Sequence, residues 1–468
     1  MSKENSKAEE LKKELFYDPK HAAELISDAE IKKADKFCED YKAFLNASKT
    51  EREAVKTIVK RAESLGYVPF DRDKKYKAGD KVYFNNRGKS VILAVIGKKP
   101  LKEGIRLSAA HIDSPRLDLK QNPLYEDAEM ALFKTHYYGG IKKYQWTAIP
   151  LSLHGVLIRR DGSKVEVNIG EAEGDTQFVV TDLLPHLGQE QMKRTLADGI
   201  RGEELNILVG SRPFKDDKAS EKVKLNILKL LNEKYGVVES DFLSAELEIV
   251  PAFKANDIGF DRSFIGSYGQ DDRVCAYTAM EAIFAIKNPA YTCIAILTDK
   301  EEIGSEGNTG LNSSYFKYFV ADLAWQQGIN YHTVLTNTQC LSADVNAAFD
   351  PTFPDVSERR NASYCNKGVV ITKYTGARGK SGTSDASAEY MGKIRNMLDA
   401  NKVVWQTGEL GKVDAGGGGT VAMYLASLDI DVIDLGVPVL SMHAPFEITA
   451  KLDIYMAYRA FKVFMEEK

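Results

Sequence analysis

No two cysteines in this chain are spaced as CxxC; the five present, Cys38, Cys275, Cys293, Cys340 and Cys365, are odd in number and lie in apolar or helical contexts. That excludes a structural zinc ribbon and a disulfide framework, and it reads as reduced core thiols of a cytoplasmic protein. Long apolar runs are also missing. The longest, VILAVIG and YTCIAIL, fall far short of the roughly 20 residues a membrane helix needs. The start, MSKENSKAEELKKELF, is charged and helix-prone, with no basic start leading into an apolar core, so no secretory leader is expected. Charge of one sign is scarce in excess: 63 Lys+Arg against 67 Asp+Glu leaves a net charge of -4, which gives no global attraction for nucleic acid or an anionic membrane. No internal repeat or low-complexity segment occurs beyond the GGGG at 416–419. The partners left are small molecules, peptides or other proteins.

With 468 residues, a prior of roughly 150 residues per domain gives two or three domains and a large core. From Ala8 to about Leu65 the pattern is helical, with Val55, Ile58, Val59 and Ala62 recurring at helical spacing. KVYFN and SVILAVIG then read as strands, and GIRLSAA ends in one. From there to about Val250 the texture is hairpin-like: GVLIRRDGSKVEVNIG sets Asp161-Gly162 between two alternating runs, as a tight hairpin turn requires. Residues 121–250 are therefore expected to form an inserted domain, and residues 1–120 and 251–468 the main one. After Pro251 helices and strands alternate: the helix RVCAYTAMEAIFAI, the buried strand TCIAILT, a helix around YFKYFVADLAW, then strand-like VLTNTQCLSAD and KGVVITKY. A C-terminal helix follows, with Leu452, Tyr455, Met456, Ala460, Val463 and Phe464 on one stripe. Such alternation predicts an α/β sandwich around a central sheet.

Five stretches at predicted strand ends or turns offer metal-ligand atoms: AAHIDSP (His111, Asp113), YGQDDRV (Asp271, Asp272), DKEEIG (Glu301, Glu302), LSADV (Asp344) and LSMHAP (His443). Each alone is more often a cap or a satisfied core residue. Together, two histidines and several carboxylates match the needs of two divalent cations: imidazole and carboxylate ligands, one carboxylate shared, and a position open for water. A cation against Glu302 would relieve the repulsion between the adjacent glutamates and leave Glu301 free to take a proton from water. Asp113, two residues beyond His111, is placed to accept the other ring N–H and fix the tautomer. In GKVDAGGGGT, Gly417 and Gly418 let backbone approach a ligand closely and are expected to line a pocket. A nucleotide-binding reading of the GGGG lacks its GKS/T or GxGxxG context.

AAHIDSPRLDLK, QDDR, DKEEIGS, SADVN and VPVLSMHAPFE resemble, in order, the signature blocks of the aspartyl aminopeptidase family of dinuclear zinc metallo-aminopeptidases. The resemblance runs from the DYKAFLNAS region to SMHAPFE. It implies an α/β fold, a three-layer sandwich with a central mixed sheet of the co-catalytic zinc exopeptidase type, and an inserted mostly-β dimerisation domain matching 121–250. It also implies two Zn2+ per subunit, the first on His111 and Asp344, the second on Glu302 and His443. Asp271 bridges them in this reading, with Asp272 the alternative that could instead cap the following helix; Co2+ or Mn2+ suits the same ligands.

Glu301 is then the general base, with peptides as substrates. By the same resemblance, His186 in PHL reaches a neighbouring subunit's site, and the subunits self-associate through the insert, in the family into tetrahedral dodecamers. Lys373 matches a lysine that pairs with an acidic N-terminal side chain of the substrate. Acid-preferring members carry a histidine three residues after the SAD aspartate, where this chain has Ala347. A dinuclear deacylase, dipeptidase or carboxypeptidase would use the same ligands. A non-catalytic scaffold subunit would lack one, and all six ligand and base positions are filled.

Overall fold

The computed structural model describes residues 7–216 and 218–468; the first six residues of the charged N-terminal stretch lie outside the described part. The fold is α/β with mixed sheets. A nine-stranded sheet runs, from edge to edge, through Val68–Pro69, Lys81–Asn86, Ser90–Val95, Thr292–Thr298, Ile105–His111, Gln339–Ser342, Asp431–Gly436, Val369–Thr372 and Trp405–Thr407. Its four middle strands, from Thr292–Thr298 to Asp431–Gly436, are mutually parallel. They are buried on both faces, so the sequence there is an unbroken apolar run such as TCIAILT, as a central parallel strand requires.

Side chains alternate between two apolar clusters. Leu93, Ala295 and Leu297 face one, with helices Asp28–Asn46, Glu51–Ser64, Gln270–Ala285, Ala388–Ala400 and Lys451–Met465. Ile92, Ile294, Ile296 and Leu107 face the other, with helix Tyr315–Gln326. The helices start where local chemistry sets them. Ser27, Thr50 and Ser387 each accept a backbone N–H from three residues ahead, which satisfies one of the otherwise unpaired first-turn donors. The C-terminal helix buries more than the expected stripe, adding Ile454, Ala457 and Phe461.

A second sheet of seven strands, all antiparallel, is built from residues 116–251, with its own apolar cluster around Phe133, Trp146 and Leu153. The hairpin at Asp161-Gly162 is present, joining Leu151–Ile158 to Lys164–Ile169 through a five-residue loop, 159–163, longer than a tight two-residue turn. A helix, Lys222–Tyr235, also lies in this region, where the hairpin texture suggested strand; Val223, Ile227, Leu228, Leu231 and Tyr235 pack on the sheet. VLT, read as strand, is the end of helix Tyr331–Thr336, and only Gln339–Ser342 of that stretch is strand. A third, five-stranded sheet includes Phe264–Ser267, Pro438–Leu440 and Glu447–Ala450. Among the described residues no helix is long and apolar enough to cross a membrane, and all five cysteines are free.

Phe461 is fully buried where the C-terminal helix packs on the sheet. Phe461→Ala is expected to cost about 3–5 kcal/mol, read as a lowered urea midpoint with an unchanged slope.

Candidate metal centre

The C-terminal ends of three parallel strands bring AAHIDSP, DKEEIG and LSADV to one edge, the usual place for a site in an α/β sheet, and YGQDDRV and LSMHAP reach it from a helix start and a turn of the third sheet. His111 ends its own strand opposite Thr298, Glu301 and Glu302 follow Thr298, and Asp344 follows Ser342. His443 lies in the turn between Pro438–Leu440 and Glu447–Ala450, with φ of 64°. Asp271 arrives from the start of helix Gln270–Ala285, whose first turn is broken: Asp271 is extended (φ -82°, ψ 109°) and the regular helix begins after Asp272.

That extended residue is the centre of the site. Asp271 Oδ1 lies 3.1 Å from His111 Nε2, and Oδ2 lies 3.1 Å from His443 Nε2. Glu302 Oε2 is 3.5 Å from His443 Nε2; Glu301 Oε2 and Asp344 Oδ1 are 3.8 and 4.0 Å from His111 Nε2. Within 4.8 Å of one another lie ligand atoms of His111, Asp271 and Asp344, and likewise of Asp271, Glu302 and His443, so Asp271 belongs to both groups. His111, Glu301 and Glu302 form a third such group.

Each imidazole is oriented from behind. His443 Nδ1 lies 2.8 Å from the Gly140 carbonyl oxygen, and His111 Nδ1 lies 3.1 Å from the Asp113 carbonyl oxygen and 3.4 Å from its carboxylate. A carbonyl only accepts, so Nδ1 carries the proton in both rings and Nε2 faces the carboxylates. The Asp113 carboxylate has a larger task than the sequence indicated: it accepts from Tyr138 Oη at 2.8 Å and from the backbone N–H groups of Glu301 and Glu302, each at 3.2 Å. Glu447, which the sequence reading did not single out, accepts from the backbone N–H of Asp271 at 3.0 Å and of His443 at 2.7 Å. Tyr138-Gly139-Gly140, also unremarked in the sequence, brings the second sheet over the site. At Gly139 (φ +74°) an added Cβ would lie 3.2 Å from Glu302 Oε2, so only glycine fits without displacing the carboxylate.

Burial, and after it the charges of Asp113 and Asp271, push Glu301 up to about 7. Burial and Asp271 hold Glu302 well above the carboxylate range, and burial and Glu301 do the same to Asp344. Burial alone would lower both histidines. The Asp113 and Asp271 contacts outweigh it at His111, and Asp271 does so at His443, which rises to about 10. Crowded carboxylates of this kind retain protons unless a cation neutralises them. Glu302 Oε1 is buried with no hydrogen-bond partner, and the mixed imidazole–carboxylate set suits zinc; by both tests these residues fit a divalent metal.

Gly417 and Gly418 line the same cavity of about 340 Å³ as Asp271, Glu301, Glu302 and His443. Gly417 (φ +116°) comes so close to Gly376 that a Cβ would sit 2.0 Å from that carbonyl oxygen. Asp272 does not cap the helix: it is fully buried, and neither carboxylate oxygen has a hydrogen-bond partner. Lys373 does not line the cavity; its Nζ lies 2.5 Å from Asp385. His186 is exposed in the segment after Val179–Val180 and takes no part in the cluster of its own chain.

The family model described as Aminopeptidase I zinc metalloprotease (M18) matches residues 44–465. A protein of Clostridium acetobutylicum named "Probable M18 family aminopeptidase 1" is 51% identical over 460 residues, 97% of this chain and 99% of that one. The crystal structure of an M18 aminopeptidase from Thermotoga maritima superposes with a TM-score of 0.93 at 44% identity, covering 97% of this chain and 100% of that one. Aminopeptidase I from Clostridium acetobutylicum gives a TM-score of 0.91 at 48% identity with the same coverage.

Glu447 offers a test of the support behind the cluster. Glu447→Ala leaves two buried N–H donors without an acceptor and is expected to weaken zinc binding roughly ten- to hundredfold, measured by titration against a competing chelator. Unchanged affinity would remove Glu447 from a positioning role.

Proposed function

The chain belongs to the M18 family of zinc aminopeptidases, and from that premise we propose that two zinc ions are held by His111, Asp344, Glu302 and His443 with Asp271 between them, and that Glu301 is the general base. The observation that carries this reading is the approach of the two Nε2 atoms to opposite oxygens of Asp271 at 3.1 Å each. Asp272, turned into the interior, offers no such geometry.

When bound, zinc supplies Lewis acidity that polarises the scissile carbonyl and acidifies water. The chain's residues do the rest. The Glu301 side chain keeps 18% of its surface exposed against 3% for Glu302, so of the two glutamates it is the one that meets water and substrate. Its carboxylate takes a proton as the water oxygen bonds to the carbonyl carbon, and returns it to the nitrogen as the C–N bond breaks. Asp113 holds the Glu301-Glu302 backbone in place, and the acidic cluster receives the free amino terminus, which restricts cleavage to the first peptide bond.

We also propose residues 1–120 and 251–468 as the catalytic domain, a three-layer sandwich, and 121–250 as an inserted dimerisation domain. The separate apolar cluster of the second sheet supports this. Leu183, Leu184, Leu187, Met192 and Leu196 are all exposed around His186; an apolar patch of that kind favours burial against another subunit, here with His186 delivered to the neighbour's site. The dodecamer implied by the resemblance would place every site at such a contact. Five free cysteines suit the cytoplasm. A preference for acidic N-terminal residues would need a cation facing the cavity, and Lys373 instead pairs with Asp385 outside it.

Glu301→Gln is expected to retain zinc at the parent level while kcat falls by several orders of magnitude, because the amide cannot take a proton; metal analysis and an aminoacyl reporter assay check it, and ordinary turnover would exclude Glu301 as the base. The trans role of His186 is tested by mixing inactive Glu301→Gln subunits with His186→Ala subunits under exchange conditions. Mixed sites that pair an intact Glu301 with a neighbour's His186 should restore activity, whereas exchange without recovery would show that His186 does not act across subunits. A hydrogen bond from it to the developing oxyanion would be worth roughly a hundredfold or more in kcat.

A further inference from the structure

Three polar side chains stand together on the central sheet where apolar ones would be expected. Ser342 is in parallel register with Asp434, and Thr372 is in antiparallel register with it. Side chains of residues directly opposite on neighbouring strands leave the same face, so the three form a row. Two residues before Asp434, Val432 still packs in the apolar cluster on that side. At Asp434 the packing gives way to the cavity that holds the metal cluster, and Asp434 is part of its wall.

Asp434 is 3% exposed, and its Oδ1 has no hydrogen-bond partner. Thr372 Oγ1 accepts from Asn346 Nδ2 at 3.0 Å, which keeps the Thr372 hydroxyl in the row. No lysine or arginine is among the described residues lining the cavity. A buried carboxylate with hydroxyls but no cation beside it is costly, and nothing in the proposed metal chemistry uses this one. Burial raises its carboxyl to about 7, with the Ser342 and Thr420 hydroxyls pulling the other way; a cation entering the cavity would hold it ionised.

Resting on the aminopeptidase reading, we propose that Asp434 is the floor of the pocket for the substrate's N-terminal side chain and that it selects a cationic one, lysine or arginine. Thr372 and Thr420, which also line the cavity, offer further hydrogen-bonding groups for the same ammonium or guanidinium, and Gly417 and Gly418 contribute backbone wall. The substrate class is thus peptides with a basic first residue.

The test uses zinc-loaded enzyme and aminoacyl reporters carrying Lys, Arg, Leu, Asp and Glu. The parent is expected to cleave Lys and Arg reporters at least tenfold better than Asp and Glu reporters. Asp434→Asn is expected to lower the Lys-to-Leu ratio of kcat/KM roughly ten- to hundredfold, as loss of a charge-assisted contact would, with the change mainly in KM. A merely structural role would lower both substrates together, and that result, or a parent that favours Asp and Glu, overturns the proposal. A second measurement needs no variant: lysine and norleucine, which differ by one ammonium group, compete against the Leu reporter, and norleucine inhibiting as well as lysine overturns it also. A parent that cleaves Leu but not Lys reporters removes this proposal alone, while a parent that cleaves none removes the aminopeptidase reading together with it.

Discussion

Like charges that share a small, poorly solvated volume are the constraint around which this structure is organised. Asp271, Glu301, Glu302 and Asp344 converge on two imidazoles within a few ångströms, at a cost that only positive charge can offset. The cost is bearable because it is confined to one edge of a large, well-packed sheet. Strands Thr292–Thr298 and Ile105–His111 are buried along their whole length, so their ends are rigid platforms, and the loops that follow begin from fixed points. Asp113 and Glu447 then tie down the backbone of four of the clustered residues, Glu301, Glu302, Asp271 and His443.

Much of the site was legible because its residues sit in compact blocks immediately after strand-forming runs: HID after GIRLSAA, DKEEIG after TCIAILT, Ala343-Asp344 after QCLS. An apolar run followed by an acid or a histidine marks a strand end, and strand ends on one edge of a parallel sheet meet in space. The supporting residues carry no such local mark. Tyr138 reaches Asp113 from 25 residues away, Gly140 reaches His443 across 303, and Glu447 reaches Asp271 across 176. Asp434 reads as one more acid in an apolar strand, DVIDLG, and only the register with Ser342 and Thr372 shows what surrounds it. Asp272 was read as a possible helix cap because it precedes RVCAY; the broken first turn instead carries it into the interior.

The fold was legible to a similar depth, and it failed where two periodicities compete. KVKLNILKLLNEKY has apolar residues at helical spacing, yet it stands among hairpins whose alternation dominates the surrounding sequence. VLT, two residues before QCLS, has two β-branched residues, yet it ends a short helix whose start Asn330 caps through the His332 N–H. In the first case the segment's own spacing prevailed over the texture of its neighbours, and in the second a cap upstream prevailed over β propensity.

Both histidines of the cluster take their orientation from main-chain carbonyls, Gly140 for one and Asp113 for the other. No side-chain substitution deletes a carbonyl. The tautomer of each ring is therefore inherited from the path of the chain, and a survey that replaces residues one at a time would pass over half of what aims these ligands. Changes of loop length, which move the chain itself, are the alterations to which this part of the site is exposed.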